Sequence, residues 1–257
     1  MRRVTGNWLE TTLPHSRVIS PNINERKTGV EVSILLLHYT GMGTATKACE
    51  WLCTPDSQVS CHYLIDERGV ITQMVDETKR AWHAGVGSWH GNEDLNSNSI
   101  GIEIHNPGHD HGYVDFPNVQ MLSVAALCRD ILSRHKIAPR DVLAHSDSAP
   151  ARKKDPGEKF DWRFLHEKNV GHWVKPEPLS GGSFLQYGDR GDTVLALQSL
   201  LKVYGYGIQL TGIFDNATRL TVTAFQRHFR QEKIDGVADA STVTTLHRLL
   251  RELARKN

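Results

Sequence analysis

The chain has 257 residues, of which 39% are hydrophobic and 23% are charged, so it can bury a sizeable core as one large domain or as a medium and a small one. Its 30 basic and 29 acidic residues give a formal net charge of +1. Because no clustered basic excess is visible, this balance argues against nucleic acid or an anionic membrane as the main partner.

The N-terminal sequence predicts the compartment. Two arginines near the start are followed by no apolar segment, so we expect no secretion signal. The apolar run at residues 34–37 is far too short to cross a bilayer, which predicts no membrane insertion. A cytoplasmic protein is therefore expected, with the periplasm or cell envelope as the alternative if a leader had been removed. We also expect a monomer.

Strand and helix patterns alternate over the first part of the chain. The predicted elements are a strand at 32–39, a helix at 45–53, a hairpin of strands 62–66 and 70–75, a strand at 99–104, a helix at 118–135 and a strand that ends at 143–145. This order predicts an α/β domain with a mixed central sheet flanked by helices. The four cysteines (Cys49, Cys53, Cys61 and Cys128) have irregular spacing, so we expect reduced, partly buried thiols.

The composition changes near residue 175. The sequence HWVKPEPLSGGS at 172–183 is typical of an interdomain linker, and beyond it only His228 and His247 remain of the 14 histidines. Helical patterns then cover 194–203, 218–229 and 241–250. In two similar segments, GIFDNAT at 212–218 and GVADAST at 236–242, an Asp can cap the helix that follows. We predict a first domain at 1–172, a linker at 173–183 and a small three-helix bundle at 184–257.

Two histidines at predicted strand ends are candidate metal ligands. His38 ends one strand and His145 another, and Asp155 follows in the polar loop HSDSAPARKKDPG. Zinc hydrolases commonly use three such ligands and leave a fourth position for water. The alternative is that each histidine is an ordinary surface or hydrogen-bonded residue, and the spacing alone does not decide between the two.

Two further charged residues are candidates for catalysis. Glu103 lies between isoleucines in SIGIEIHN, where partial burial would suit a general base. Lys153 lies two residues before Asp155 and could stabilise an oxyanion. The alternatives are a strand residue on a solvent face and a solvated basic run.

Taken together, these residues resemble a known family. The motifs are SPNINER (20–26), LLLHYTG (35–41), SCHYLIDERG (60–69), RAWHAG (80–85), NSIGIEIHNPG (98–108) and HSDSAPARKKDPG (145–157). In this order they resemble the zinc-dependent N-acetylmuramoyl-L-alanine amidases of the AmpD/AmiD type, which are related to the peptidoglycan recognition proteins. The resemblance covers most of residues 18–165.

The resemblance implies a role for each position. His38, His145 and Asp155 are expected to bind one Zn²⁺ per chain, with Glu103 as the catalytic carboxylate and Lys153 assisting at the oxyanion. Trp82 and His83 match a segment that lines the substrate groove, and Tyr39 and Asn106 are also expected to contact substrate. For His62 we expect a structural, hydrogen-bonding role. The implied reaction is hydrolysis of the amide between the lactyl group of N-acetylmuramic acid and L-alanine.

Residues 184–250 resemble a peptidoglycan-binding module that accompanies cell-wall hydrolases. Peptidoglycan or a muropeptide is therefore the expected partner. The rival interpretation is a related protein that binds peptidoglycan without cutting it, but the complete set of implied ligands and catalytic residues favours an enzyme. A substrate limited to anhydro-muropeptides stays open, and so does an additional metal site at His105, His109 and His111, for which we prefer a solvent or groove-lining loop.

Overall fold

The computed structural model describes residues 8–256; residues 1–7 and 257, at the outer ends of the two predicted domains, lie outside that range. The strands are β1 (Ser16–Arg17), β2 (Ile23–Glu25), β3 (Ile34–Tyr39), β4 (Tyr63–Ile65), β5 (Ile71–Gln73), β6 (Lys79–Ala81), β7 (Ser99–Ile104) and β8 (Val142–Ala144). The α-helices are α1 (Ala45–Leu52), α2 (Leu95–Asn98), α3 (Asn118–Arg134), α4 (His145–Ser148), α5 (Trp162–Glu167), α6 (Asp192–Tyr204), α7 (Asn216–Phe229) and α8 (Ala240–Lys256).

The described residues divide into two compact units, 8–85 with 96–138 and 86–95 with 139–256. Residues 139–172 of the predicted first domain thus pack in the same unit as the predicted helical bundle. Along residues 8–256, no helix is both long enough and apolar enough to cross a membrane.

The first unit contains a mixed sheet with the strand order β1-β5-β4-β7-β3. β3 and β4 run parallel to β7, whereas β4 and β5 form the antiparallel hairpin predicted from the sequence. Gly69 has a φ of +81° in the turn of this hairpin, where the Asp66 carboxylate accepts hydrogen bonds from Arg68 N–H and Val70 N–H. A small antiparallel sheet, β2-β6, accompanies it.

Hydrophobic burial explains why the sheet is covered by helices. All of Ile34–Leu37 in β3 is buried, although neighbouring side chains point to opposite faces. A strand that is apolar on both faces needs a covering layer on each. α3 buries a stripe that includes Val124, Leu127 and Ile131, and α1 buries Ala48 and Leu52. The predicted fold class, a mixed sheet with flanking helices, is confirmed.

Glu77 is the centre of a buried polar cluster in this unit. Its side chain is 1% exposed, and its carboxylate accepts hydrogen bonds from Tyr63 Oη (2.5 Å), Arg134 Nη2 (2.6 Å) and His135 Nε2 (2.7 Å). Burial by itself would raise the pKa of this carboxyl, but the hydrogen bonds outweigh it and lower the pKa to about 2. The charged form of Glu77 therefore stabilises the fold.

In the second unit, the strand β8 ends one residue earlier than predicted. The strand β8 ends at Ala144, not at His145, because Asp147 Oδ2 accepts a hydrogen bond from Ala144 N–H (2.8 Å) and the chain turns into α4. Later in the unit, the first half of the predicted linker packs along α8. Glu177 N–H donates to Thr245 Oγ1 (3.0 Å), and Glu177 O accepts from Ser241 Oγ (2.5 Å).

The helices α6, α7 and α8 confirm the helices predicted for the C-terminal part. The two similar sequence segments fold in the same way: Asp215 caps α7 through Thr218 N–H, and Asp239 caps α8 through Thr242 N–H, each at 2.8 Å.

A buried glutamine is hydrogen-bonded to the backbone of each of these two similar segments. Gln198 Oε1 accepts from the backbone of Thr211 and Gly212, and Gln226 Oε1 accepts from that of Asp235 and Gly236. The amide nitrogens donate to a carbonyl and to the hydroxyl of the Thr three residues after the capping Asp. The similarity seen in the sequence is therefore a structural repeat built on a fully buried amide.

Replacing one of these amides should destabilise the C-terminal helices. In Gln226→Leu the volume is kept, but the N–H groups of Asp235 and Gly236 lose their acceptor in a buried place. Each unpaired buried group costs about 1–3 kcal/mol, so we expect the thermal midpoint to fall by roughly 5–15 °C. The exposed Gln186 provides the control, Gln186→Leu. Equal midpoints for both variants in a thermal melt followed by circular dichroism would contradict this account.

Glu77 predicts an acid-sensitive stability. Its pKa in the folded protein lies below the ordinary value of 4.5, so its contribution is complete above about pH 4.5 and is lost as the pH falls toward 2. Wild type should therefore melt well above Glu77→Gln at pH 7, and the gap should narrow between pH 4.5 and pH 2.5. Glu25→Gln, at an exposed ion pair with Lys79, should change the midpoint little at any pH. A gap that is independent of pH would exclude this role.

Candidate metal centre

The structure brings together the three residues proposed as ligands. Among residues 8–256, one possible ligand atom from each of His38, His145 and Asp155 lies within 4.8 Å of the others. The side chains are buried, with 1%, 2% and 6% exposure respectively. Two imidazoles and a carboxylate in this arrangement are a donor set that suits a zinc ion.

The polar loop after β8 holds His145 and Asp155 against each other. His145 Nδ1 lies 3.0 Å from Asp155 Oδ2, and Ser146 N–H donates to Asp155 O at 3.0 Å. Ala149 N–H donates back to His145 O (3.0 Å), and Lys153 N–H donates to Ala149 O (2.9 Å). The loop is therefore folded by its own backbone hydrogen bonds, which accounts for a polar sequence in a buried place.

His38 is placed by β3 and by a neighbouring histidine. Its Nε2 atom lies 3.1 Å from His83 Nδ1, and His83 Nε2 lies 3.2 Å from Ser99 Oγ. The imidazole of His83 packs directly on Gly101, where an added Cβ would come within 2.5 Å of the ring. Only a glycine at this position leaves room for the ring, so Gly101 allows His83 to contact His38.

Glu103 lies beside His38 in the sheet. The two residues are register partners of the parallel strands β7 and β3, and partners in this register point to the same face. Because side chains alternate along a strand, Glu103 shares a face with Gly101 and His105 and points away from the neighbouring isoleucines. Cys61 lies near it: burial and the negative charge of Glu103 raise the pKa of the Cys61 thiol well above its usual value.

In the basic run at 152–154, the sequence did not predict a contact between Arg152 and His145. Arg152 lies next to His145, with 3.3 Å between its Nη2 atom and His145 Nε2, and it also donates to Val86 O at 2.8 Å. Burial lowers the pKa of the Arg152 guanidinium below its usual value. Lys153 is half-buried, and its role at an oxyanion stays a prediction.

Asp147 is a second residue that the sequence patterns did not single out. It is fully buried two residues after His145, and its carboxylate accepts hydrogen bonds from Tyr206 Oη (2.8 Å) and His228 Nδ1 (2.7 Å) as well as from the backbone. Its signal in the sequence was weak, because an Asp in a polar loop is common.

The residues predicted to contact substrate differ in their surroundings. Trp82 and Tyr39 are half-buried; Trp82 Nε1 donates to Asn24 Oδ1 (2.9 Å), and Tyr39 Oη lies 3.0 Å from His109 Nδ1. His83 is only 9% exposed. Asn106 is 1% exposed, and its amide bonds Val114 O and Gly108 N–H, which organises the loop. Substrate contact stays a prediction for all of them.

Two other histidine predictions concern structure. His62 is fully buried, and its Nδ1 accepts a hydrogen bond from Gly101 N–H (3.0 Å), as expected for a structural role. Burial, reinforced by the charge of Arg26, lowers the pKa of His62 to about 3. Within the described residues, His105, His109 and His111 do not form a group that could hold a metal ion.

Comparison with known proteins identifies the family. Residues 28–158 match the family described as N-acetylmuramoyl-L-alanine amidase, and residues 190–246 match a domain described as peptidoglycan binding. The N-acetylmuramoyl-L-alanine amidase AmiD of Escherichia coli K12 is 34% identical over 86% of this chain and 83% of its own length. The 1,6-anhydro-N-acetylmuramyl-L-alanine amidase AmpD of Haemophilus influenzae is 32% identical over 58% of this chain and 89% of its own length.

Solved structures are similar over most of both chains. Escherichia coli AmiD, in complex with the substrate anhydro-N-acetylmuramic acid-L-Ala-D-gamma-Glu-L-Lys, has a TM-score of 0.74 and 32% identity, and the match covers 89% of this chain and 93% of AmiD. Pseudomonas aeruginosa AmpDh3, in complex with an anhydromuramic pentapeptide, has a TM-score of 0.73 and 29% identity, with 92% and 98% covered. The chain therefore belongs to the N-acetylmuramoyl-L-alanine amidase family, as an amidase of the AmiD/AmpD type that cleaves the muramoyl-L-alanine amide bond of peptidoglycan or muropeptides.

Proposed function

We propose that this amidase depends on one Zn²⁺ per chain, held by His38, His145 and Asp155. The observation that carries the proposal is the buried group of two imidazoles and one carboxylate, whose ligand atoms lie within 4.8 Å of one another. Catalytic zinc sites typically use three such protein ligands and leave a position for water. The residues present therefore fit the ion that the family resemblance implies.

The remaining steps are assigned to the chain's own side chains. Zn²⁺ bound there supplies a Lewis acid that lowers the pKa of a water molecule and polarises the amide carbonyl. Glu103, the register partner of His38, takes the proton of the attacking water and returns it to the departing amine. Lys153 places a positive charge near the oxygen that becomes negative. The bond cut joins the lactyl group of N-acetylmuramic acid to L-alanine, and it releases the stem peptide.

We propose that both polymeric peptidoglycan and soluble muropeptides are substrates. AmiD and AmpDh3 were each solved with an anhydromuramic peptide, which supports muropeptides for this chain. Residues 184–257, which include the match to a peptidoglycan-binding domain, are proposed to hold the polymer and to raise its local concentration at residues 1–172. The cytoplasmic location, with the cell envelope as its alternative, and the monomeric state stay predictions.

Metal analysis combined with two substrates tests this function. The purified protein should contain close to one zinc per chain and release stem peptides from intact peptidoglycan and from anhydro-muropeptides. A chelator should abolish both activities, and added Zn²⁺ should restore them. Activity that survives complete removal of zinc would overturn the metal assignment. Cleavage of soluble fragments alone would overturn the proposal that polymeric peptidoglycan is a substrate.

Two substitutions separate catalysis from metal binding. Glu103→Gln removes the proton acceptor but no proposed ligand, so we expect zinc content near one per chain and kcat lower by about 100- to 10,000-fold. Asp155→Ala should lose both zinc and activity. Asp56→Ala, at an exposed carboxylate, is the control and should resemble wild type in both measurements. Near-normal turnover in Glu103→Gln would reject its role as general base.

Gly101→Ala tests whether His83 orients His38. The added methyl group would lie 2.5 Å from the His83 ring and force it away from His38. Partners that orient a metal-binding histidine typically contribute 10- to 100-fold to affinity, so we expect Zn²⁺ to bind about tenfold more weakly in a chelator competition. At Gly43 an added Cβ meets nothing within 4 Å, so Gly43→Ala is the matched control. Wild-type affinity in folded Gly101→Ala would show that the contact is dispensable.

A further inference from the structure

The buried carboxylate of Asp147 connects the turn that carries His145 to the C-terminal helices. Asp147 lies in α4, and its Oδ2 atom accepts hydrogen bonds from Ala144 N–H (2.8 Å) and His228 Nδ1 (2.7 Å). Its Oδ1 atom accepts from Tyr206 Oη (2.8 Å). Ala144 directly precedes His145, whereas Tyr206 follows α6 and His228 lies in α7.

These contacts are buried inside the unit. Asp147 is fully buried, Tyr206 is 1% exposed and His228 is 3% exposed. A buried carboxylate is destabilised unless its oxygens are hydrogen-bonded, so removing one donor leaves part of that cost uncompensated. His228 also stacks on Trp162 of α5, with 3.7 Å between ring centroids. The hydrogen bonds of Asp147 therefore lie in a closely packed interior.

A second set of contacts connects the same parts of the unit. Ser88 N–H donates to Ser148 O, and His90 N–H donates to Gly205 O, each at 2.8 Å. The backbone approaches closely here, since a Cβ at Gly205 would lie 2.5 Å from the Trp89 ring. Ser88 and His90 are thus hydrogen-bonded to the last residue of α4 and to the residue that directly follows α6.

We propose that Asp147 is a positioning residue for the metal ligand His145, and that the C-terminal helices hold it in place through Tyr206 and His228. The proposal rests on the function proposed above, in which His145 binds the ion. A four-residue helical turn has little stability of its own. Without its hydrogen bonds to Tyr206 and His228, Asp147 and the Ala144–His145 backbone have more conformations available. The C-terminal part of the chain therefore contributes to metal affinity as well as to polymer binding.

Two buried tyrosines offer a matched pair of variants. Tyr206→Phe removes the hydroxyl that donates to Asp147 but keeps the ring packed on Trp89, at 5.1 Å between centroids. Tyr204→Phe removes a hydroxyl of equal burial, which lies 3.0 Å from His172 Nδ1. Any general cost of losing a buried hydroxyl should appear in both variants.

The readouts are Zn²⁺ affinity from chelator competition and the visible spectrum of the Co²⁺-substituted protein. We expect Tyr206→Phe to bind Zn²⁺ about tenfold more weakly and to shift its Co²⁺ absorption bands, because the ligand geometry is relaxed. Tyr204→Phe should keep wild-type affinity and bands. Equal affinities and equal spectra for both variants and wild type would overturn the proposal.

His228 gives an independent test by rescue. In His228→Asn the side-chain amide can place an N–H where Nδ1 stood, whereas His228→Ala cannot, and both lose the stack on Trp162. We expect near wild-type Zn²⁺ affinity in His228→Asn and weaker binding in His228→Ala. Equal loss in both would assign the effect to stacking and contradict the role of the hydrogen bond.

The failure of this proposal is distinguishable from failure of the proposed function. If wild type binds no zinc and still cleaves peptidoglycan, the metal assignment itself is wrong. If wild type binds one zinc and cleaves, but Tyr206→Phe and His228→Ala bind Zn²⁺ as tightly as wild type, only the positioning role of Asp147 is wrong.

Discussion

Burial of polar ligands is the constraint on which the site depends. His38, His145 and Asp155 are each at most 6% exposed. Groups of this kind lose hydration when they are buried, and the loss must be offset by hydrogen bonds or by a bound ion. A metal offsets it with the least loss of affinity when the ligands already stand close together, since ordering them at the moment of binding would cost affinity. The surrounding residues that hold the ligands in place therefore favour binding of the ion.

The two histidine ligands are held by different means. His38 is fixed by a strand that is buried on both faces and by His83, which in turn needs the space above Gly101. His145 lies on a short turn, and its support comes from Asp155 within the loop and from Asp147, which is anchored by Tyr206 and His228. A strand supplies rigidity through its neighbours, whereas a turn needs a specific partner. This difference explains why the C-terminal helices help to position His145.

Periodicity predicted most of the secondary structure, whereas the candidate ligands came from histidines at predicted strand ends together with the family resemblance. The run at 34–37 is apolar without alternation, which is typical of a strand covered on both sides, and the capping Asp215 and Asp239 marked the starts of α7 and α8. The roles of Gly101 and Asp147 were not predictable. Asp147 meets its partners across 59 and 81 residues of sequence, and no local pattern encodes such a pairing. The predicted strand end at His145 was wrong for a local reason: the Asp147 side chain accepts a hydrogen bond from Ala144 N–H and the chain turns into α4 one residue earlier.

The contacts of Asp147 also bear on how the C-terminal helices are held relative to the turn that carries His145. A module on a flexible linker acts by raising effective concentration, and its orientation is free. Here Glu177 in the predicted linker is hydrogen-bonded to α8, and residues of α7 and of the segment after α6 are hydrogen-bonded to Asp147. The orientation of these helices toward the turn that carries His145 is therefore defined by buried contacts. If the module binds the polymer as proposed, these contacts would set the direction in which the strand meets that turn, which a flexible tether does not do.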